Sequence, residues 1–462
     1  MKIITAVALV LLSMITFVAQ VGASDNASKV VKVAASENPP DDCETESDNA
    51  PAKTSDKLTV DLGKFTLKGD YFLRCRMELN RRGLKDDSDD RHYYHQRLRT
   101  HIFYQVVEEV RVELRADWNE GGWGDDVDNR NGVPDSSNDF DRALQIERAL
   151  VNFTFPTFDA TLGLQQTDRN HIFGLGYLYW PQAAGVSAQL RTPVTFDLSY
   201  YKYSEGDPED ETADTLTDSG ELETEDVDLY GAQIAYKSKA LSVGLFYAAQ
   251  NNYQTEDNPQ AASIWYNGSL GPVQLGVEVD YLFGDNGQGT DYVGNLLFLD
   301  AAWLINQTFK IGLHGYYAMG SDKDDEQVIT RPGDWSFWGP WVPNIWQGLP
   351  GCAWDGIEML SAPNSFDIIG GNAGEVGGDA YVNVYVGNLE FGVQGYYLEP
   401  QEESVTDISS KYGFSAGVAY TWKKTIIFAL GGLYATREYE DDDPDRENEP
   451  AIGSQALVRV KF

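Results

Sequence analysis

Basic side chains share one alternating face in each of three segments early in the chain. In residues 67–79, 93–106 and 108–119 they are Arg74, Arg76, Arg97, Arg99, His101, Arg111 and Arg115. Guanidinium groups bind carboxylates and phosphates through paired hydrogen bonds, so such a row favours contact with anions. Acidic residues interleave with the row, and they leave open whether the arginines contact solutes or pair across neighbouring elements: Asp70, Glu78, Glu109, Glu113 and Asp117.

The positions between these charges are apolar, and the repeat of two identifies the elements that carry them. In the first segment Leu73, Cys75 and Met77 alternate with Arg74 and Arg76. Successive side chains of a β-strand point to opposite faces. Each segment is therefore predicted to be a strand with one charged and one apolar face.

Eighteen strands are predicted from this alternation, most of them long enough to span a bilayer when tilted. Their ranges are 67–79, 93–106, 108–119, 143–155, 157–167, 183–192, 194–204, 226–237, 240–251, 261–270, 272–284, 292–304, 308–319, 379–387, 388–399, 410–422, 425–437 and 452–462. The connections alternate strictly between short and long, as in outer-membrane barrels. The predicted fold is all-β: a single antiparallel up-and-down transmembrane β-barrel over residues 57–462, with short periplasmic turns and long extracellular loops.

The composition excludes several other classes of protein. The 462 residues include 72 Asp and Glu against 35 Lys and Arg, for a formal net charge of −37, and the mean hydropathy is −0.39. A multi-spanning helical membrane protein is less polar, and the charge argues against nucleic acid as a partner. The 12% of aromatic residues argues against a fully disordered acidic chain. A large acidic soluble protein or a β-barrel remains.

The N-terminal region carries the pattern of an export signal. Lys2 precedes an apolar run over residues 3–18, and small residues lead up to Ala23. Residues 1–23 are therefore expected to be a signal peptide, with a retained membrane anchor as the alternative. Residues 24–56 have an acidic, proline-containing linker composition, and we expect them to form a flexible periplasmic tail.

Motifs for catalysis and for cofactor binding do not occur in the sequence. The three cysteines, Cys43, Cys75 and Cys352, allow at most one internal disulfide and lack the spacing of a metal or haem site. Serine-hydrolase, zinc-protease and phosphate-loop motifs are also missing. The sequence predicts that the chain is not an enzyme and holds no cofactor, apart from Ca²⁺ in its acidic loops.

An acidic loop after the third predicted strand resembles a calcium-binding loop in composition. Its candidate metal ligands are Asp126, Asp128, Asn131, Asp135 and Asp139. Carboxylate and amide oxygens are ligands that Ca²⁺ prefers. The spacing departs from that of an EF-hand, because Asp128 and Asn131 are three apart and Arg130 intervenes. A solvated acidic surface is the alternative.

Two pairs of segments resemble strands of a known family. Residues 147–153 (ERALVNF) and 160–165 (ATLGLQ) resemble adjacent strands of alginate-export porins, with Leu164 where that family has arginine. Residues 418–420 (VAY) and 431–434 (GGLY) resemble the closing strands. The chain thus resembles the Gram-negative outer-membrane porins of the eighteen-stranded kind, which include the alginate-export and related porin families.

This resemblance implies a location in the outer membrane of a Gram-negative bacterium and a set of partners. The implied partners are outer-membrane lipid, lipopolysaccharide, small polar solutes, the barrel-assembly machinery and two further copies in a homotrimer. It also implies that Phe462, which ends an alternating strand, is an assembly signal. Aromatic residues near the predicted strand ends fit the interfacial girdles of such barrels.

The implied function is a water-filled channel for passive diffusion of small polar or charged solutes and ions. The alternatives are a channel selective for an oligosaccharide or an organic anion, and a barrel that sheaths an electron conduit with cytochrome partners. In a circle of eighteen strands the eleventh lies opposite the second. Glu278 and Asp280 are therefore expected to face Arg97 and Arg99, and we hypothesise a transverse field that orients solutes and filters ions.

The longest predicted loop, residues 320–378, is rich in tryptophan. It contains Trp335, Trp338, Trp341, Trp346 and Trp354. A loop of this length is usually functional or disordered, and its aromatic content argues against disorder. We expect it to fold into the lumen as a constriction, with an oligomer interface or an aromatic platform for sugars as alternatives.

Overall fold

The computed structural model describes most of the chain from residue 60 onward. The described residues are 60–61, 64–79, 91–124, 144–165, 183–192, 194–204, 227–238, 240–253, 258–285, 290–306, 308–321, 326–328, 374–402, 408–439 and 450–462. The predicted signal peptide, the tail, the calcium loop and most of the tryptophan-rich loop lie outside them. Among the described residues, no helix is long and apolar enough to cross a membrane.

Eighteen long strands form the wall of the molecule. They are β1 (Phe65–Leu79), β2 (Arg91–Val107), β3 (Val110–Gly124), β4 (Leu144–Thr154), β5 (Phe158–Gln165), β6 (Ala183–Leu190), β7 (Val194–Ser204), β8 (Val227–Lys237), β9 (Leu241–Asn252), β10 (Gln260–Leu270), β11 (Val273–Asp285), β12 (Asp291–Leu304), β13 (Phe309–Ala318), β14 (Glu375–Val386), β15 (Leu389–Pro400), β16 (Ile408–Trp422), β17 (Ile426–Tyr439) and β18 (Ala451–Lys461). Their number and order confirm the prediction. The clearest boundary differences are at β3, which ends at Gly124 instead of residue 119, and at β14, which begins at Glu375 instead of residue 379.

Each strand pairs antiparallel with its neighbours along the chain, and β18 pairs with β1 to close the sheet. Phe462 extends this seam, because its backbone nitrogen and oxygen bond to the oxygen and nitrogen of Gly69, both at 2.8 Å. Its ring also covers Gly69, where a Cβ would lie 2.7 Å from Cζ of Phe462. Closure removes the unpaired strand edges that lipid could not satisfy. The predicted antiparallel barrel is confirmed.

The two faces of the strands differ as the alternation predicts. Outward side chains such as Leu430, Phe414 and Val393 are large, apolar and more than half exposed. Buried charged side chains lie on the opposite face, and they include Arg99 and Asp117. An apolar outer surface suits a hydrocarbon environment, whereas polar inner side chains need water or one another. The inner face therefore encloses the lumen.

Short turns and bulges adjust the strands. Gly271 and Gly387 have positive φ in tight hairpins, and Lys423 and Lys424 adopt the same left-handed region between β16 and β17. In β4 the register shifts so that Arg115 pairs with Arg148 and Ala116 pairs with Ile146. Glu147 is therefore the extra residue of a bulge, and it enters the lumen beside Arg148.

Within the described residues, two short strands accompany the eighteen long ones. Val60–Asp61 pairs antiparallel with β1, next to its first residues. Glu326–Val328 pairs parallel with the first residues of β12. Both extend the sheet locally without changing the order of strands around the barrel.

Candidate channel lumen

A concentration of charge covers one side of the lumen, and we call it the basic wall. It consists of the described charged side chains on the inner face of β1–β4 together with Arg459 of β18. Its cations are Lys68, Arg74, Arg97, Arg99, Arg111, Arg115, Arg148 and Arg459, and its carboxylates are Asp70, Glu113, Asp117 and Glu147. Among these described side chains, cations outnumber carboxylates two to one.

The best-formed ion pair of the basic wall joins β2 to β3. Arg99 donates from Nε to Oδ1 of Asp117 at 2.7 Å and from Nη2 to Oδ2 at 2.6 Å. Arg97 lies 4.0 Å from the same carboxylate through its Nε. Parallel hydrogen bonds of this kind fix the plane of the guanidinium. Asp117 thus holds Arg99 against the wall and also attracts Arg97.

The β4 bulge extends the network to a fourth strand. Arg115 Nη2 lies 3.8 Å from Oε2 of Glu147, and Arg148 Nη1 lies 3.4 Å from Oε1 of Glu113. Glu113 is also 3.9 Å from Nη2 of Arg111. Two neighbouring residues, Glu147 and Arg148, can reach the lumen together only because the bulge interrupts the alternation.

The seam of the barrel belongs to the same wall. Arg459 of β18 donates from Nε to Oδ2 of Asp70 in β1 at 3.1 Å. Arg74 donates from Nε to Nδ1 of His95 in β2 at 2.9 Å. These contacts tie the last strand to the first two. Several arginines therefore pair across strands, whereas contact between the arginines and solutes stays a prediction.

Glu278 and Asp280 of β11 lie on the inner face, where they are completely buried. Their cross-strand neighbours are Trp265 and Ser263 of β10 and Phe298 and Leu296 of β12. Three of these four neighbours are aromatic or apolar, and Ser263 is the polar one, beside Asp280. Their effect on a solute depends on the strength of their electric field in the water-filled part of the lumen.

A second polar cluster lies on the inner face of β12–β15, and the sequence analysis missed it. His314 Nδ1 is 2.9 Å from both carboxylate oxygens of Asp379, and its Nε2 is 3.5 Å from Oδ1 of Asp300. The imidazole also stacks on Tyr381, over whose ring the Nζ of Lys310 lies at 5.3 Å. The inward parity of β13 could have identified Lys310 and His314, but their partners required the registers between strands.

An apolar cluster covers much of the remaining inner face between β6 and β15. Its buried members include Tyr201, Leu229, Phe246, Trp265, Leu282, Leu296, Phe298, Tyr316 and Leu398. These side chains share the inner parity of their strands with the acids described above. The lumen therefore has a basic wall on one side and an aromatic, apolar surface with enclosed acids on the other.

The remaining predicted site residues have the following positions. Arg76 belongs to β1 with the inner parity, but its side chain is not among those described; His101 lies on the inner face of β2. The candidate calcium ligands lie outside the described residues: Asp126, Asp128, Asn131, Asp135 and Asp139. The calcium site stays a prediction.

Comparison with known proteins identifies the architecture through structure alone. No family model and no curated protein matches the chain in sequence. The chain is similar to the outer membrane protein OpdK of Pseudomonas aeruginosa, with a TM-score of 0.51 and 11% identity over 86% of this chain and 98% of OpdK. The same values relate it to OccAB2 of Acinetobacter baumannii.

A crystal structure of Pseudomonas aeruginosa OpdK with vanillate is also similar, with a TM-score of 0.50, 11% identity and the same coverage of both chains. At this level of identity the likeness shows the fold. The chain has the fold of outer-membrane barrel proteins of the OpdK and Occ kind. These similar structures are Occ proteins, so the resemblance to alginate-export porins holds only for the general barrel architecture.

Proposed function

We propose that the chain forms a water-filled channel across the outer membrane of a Gram-negative bacterium and passes small polar or charged solutes. The observation that carries this proposal is a closed barrel whose outward face is apolar and whose inward face carries a charged network. The similarity to the outer membrane protein OpdK supports the location and the channel. The proposal assigns transport and no catalysis to the chain.

We further propose that the channel favours small organic anions over neutral sugars and over cations. The excess of cations on the basic wall attracts anions and raises their local concentration in the lumen. The net charge of −37 for the whole chain does not decide the selectivity, because solutes respond to the groups nearest their path. The structure of OpdK with vanillate supports an aromatic carboxylate as a first test solute.

Liposome swelling tests both parts of the proposal. The folded chain is reconstituted into vesicles and challenged with glucose, benzoate or benzamide, the last being an uncharged relative of benzoate. We expect benzoate to enter faster than benzamide, and both to enter faster than in protein-free vesicles. Equal rates for the two aromatic solutes would contradict the anion preference, and rates equal to those of protein-free vesicles would contradict the channel.

We extend the proposal to assembly and to bound Ca²⁺. Phe462 completes the β18–β1 seam, so Phe462→Ala is expected to lower the fraction of heat-modifiable, folded barrel in the outer membrane. Chemical crosslinking in membranes tests the expected homotrimer. Calorimetry with millimolar Ca²⁺ tests the predicted calcium loop, and the absence of binding heat would dismiss it.

A further inference from the structure

Two phenylalanines beside the basic wall, Phe72 and Phe103, each lie close to two of its cations. The guanidinium of Arg74 lies 4.6 Å from the ring centre of Phe72, and that of Arg97 lies 4.8 Å from the same ring. Phe72 is 5% exposed and is paired in register with Arg97. Its ring also meets the imidazole of His95 edge-on at 5.2 Å. A ring confined in this way offers a fixed surface to both arginines.

Phe103 repeats the arrangement nearer the periplasmic end of β2. The Nζ of Lys68 lies 5.4 Å from its ring centre, and the guanidinium of Arg111 lies 5.2 Å away. Phe103 and Arg97 are six positions apart in one strand, which corresponds to about 20 Å along it. The two rings therefore contact cations at two separate levels of the lumen. The contacts of Phe72 join β1 to β2, and those of Phe103 join β1, β2 and β3.

An aromatic ring and a carboxylate support a cation with different electrostatic results. A ring attracts a cation through its quadrupole but carries no net charge. A carboxylate at the same place holds the cation and also cancels its field. Arg99, held by both oxygens of Asp117, is an example of the second arrangement. Arg97 and Arg111 also lie 4.0 and 3.9 Å from Asp117 and Glu113. Each of these carboxylates contacts a second arginine as well, so it cancels only part of the positive charge that the rings hold in place.

We propose that Phe72 and Phe103 are positioning residues for anion selectivity. Each ring lies within 5.4 Å of two cations, and it opposes the pull of the neighbouring carboxylates of Asp117 and Glu113 on Arg97 and Arg111. The anion preference of the channel then depends on two uncharged side chains that no solute needs to contact. This inference rests on the proposed channel function and assigns to these residues a role that charge patterning alone does not reveal.

The test replaces each ring by an apolar side chain without a quadrupole. Phe72→Leu and Phe103→Leu are compared with Phe72→Tyr and Phe103→Tyr, which keep the ring, and with Phe414→Leu, which removes a ring from the outer face. The reversal potential of single channels in a KCl gradient gives the ratio of anion to cation permeability. We expect each leucine variant to lower this ratio by about two- to fivefold. The tyrosine variants and Phe414→Leu are expected to keep the wild-type ratio.

A second measurement tests the link to the arginine itself. Arg97→Gln is expected to change the ratio less in the Phe72→Leu background than in the wild type, because contacting residues act non-additively. Heat modifiability on gels shows which variants are folded. If Phe72→Leu yields no folded barrel, the permeability ratio of Phe103→Leu tests the role of the rings, because Phe103 is less buried.

The outcomes separate this inference from the proposed function. A wild-type barrel that conducts no ions would overturn the channel and the inference together. A conducting wild type whose leucine variants keep the wild-type ratio would overturn the role of the rings alone. A tyrosine variant that loses as much selectivity as the leucine variant would also overturn it, since the ring would then not be what matters.

Discussion

The basic wall on β1–β4 and the opposite surface on β10–β15 place charge differently within the same lumen. On the basic wall, arginines share carboxylates across strands or lie on aromatic rings, and cations are in excess. On the opposite surface, Glu278 and Asp280 are enclosed by apolar and aromatic side chains. Charges on both walls lie on inward faces and are mostly buried, but they differ in their surroundings: opposite charges and aromatic rings on the basic wall, and mainly apolar side chains around Glu278 and Asp280.

Removing a shared carboxylate from the basic wall is expected to have the largest effect on stability. Asp117→Ala leaves Arg99 buried without its bidentate partner, and this should lower the free energy of unfolding by about 3–5 kcal/mol. Urea unfolding in detergent micelles measures the change, with Asp291→Ala at the exposed start of β12 as the control. A loss no larger than that of the control would show that water in the lumen replaces the ion pair.

On the opposite wall the corresponding effect comes from packing. Leu296→Ala opens a cavity in the apolar cluster and should lower the free energy of unfolding by about 3 kcal/mol. The reversal potential should stay unchanged, because no charge moves. Leu297→Ala, which alters the adjacent outward-facing residue, is the matched control. A shift in ion selectivity with Leu296→Ala would mean that the apolar surface shapes the ion path.

The polar cluster at His314 is expected to give an intermediate effect. His314→Gln removes contacts to the carboxylates of Asp379 and Asp300, and should lower the free energy of unfolding by about 2 kcal/mol. His92→Gln changes an exposed imidazole near the start of β2 and serves as the control. Equal stability of the two variants would show that the contacts of His314 with Asp379 and Asp300 do not stabilise the barrel wall.

Removing two arginines from the basic wall is expected to lower the selectivity of the channel for anions. The double variant Arg97→Ser and Arg99→Ser should lower the ratio of anion to cation permeability by about tenfold. Arg191→Ser, at an exposed position between β6 and β7, provides a control for the loss of positive charge elsewhere. Reversal potentials in planar bilayers give the permeability ratio of both variants. An unchanged ratio in the Arg97 and Arg99 double variant would contradict the hypothesis of a transverse field.

The smallest effect is expected from the enclosed acids. Glu278→Gln combined with Asp280→Asn should raise the ratio of anion to cation permeability by less than about twofold, because both carboxylates are shielded from solvent and solutes cannot contact them. The same reversal-potential measurement applies, and the Arg97 and Arg99 variant gives the scale. An increase as large as the decrease in that variant would show that both walls create the field equally.

Much of the fold could be predicted from the sequence because the strands repeat with a period of two. Alternation located all eighteen strands, and the alternating short and long connections indicated their up-and-down order. Arg148 interrupts the alternation in its segment, and the bulge in β4 is the structural cause. Alternation does not assign the inner face of segments 292–304 and 425–437, because both faces are apolar there. Only pairing with β11 and β16 places Phe298 and Leu433 inside.

Alternation along the chain suffices to predict the barrel and the facing of most of its charges, since facing follows from local backbone geometry. Tertiary structure decided which charges meet. Asp70 and Arg459 are 389 residues apart and come together only because the barrel closes. The pairs of His314 and the double contacts of Phe72 and Phe103 likewise depend on register between strands, which alternation along one strand cannot specify.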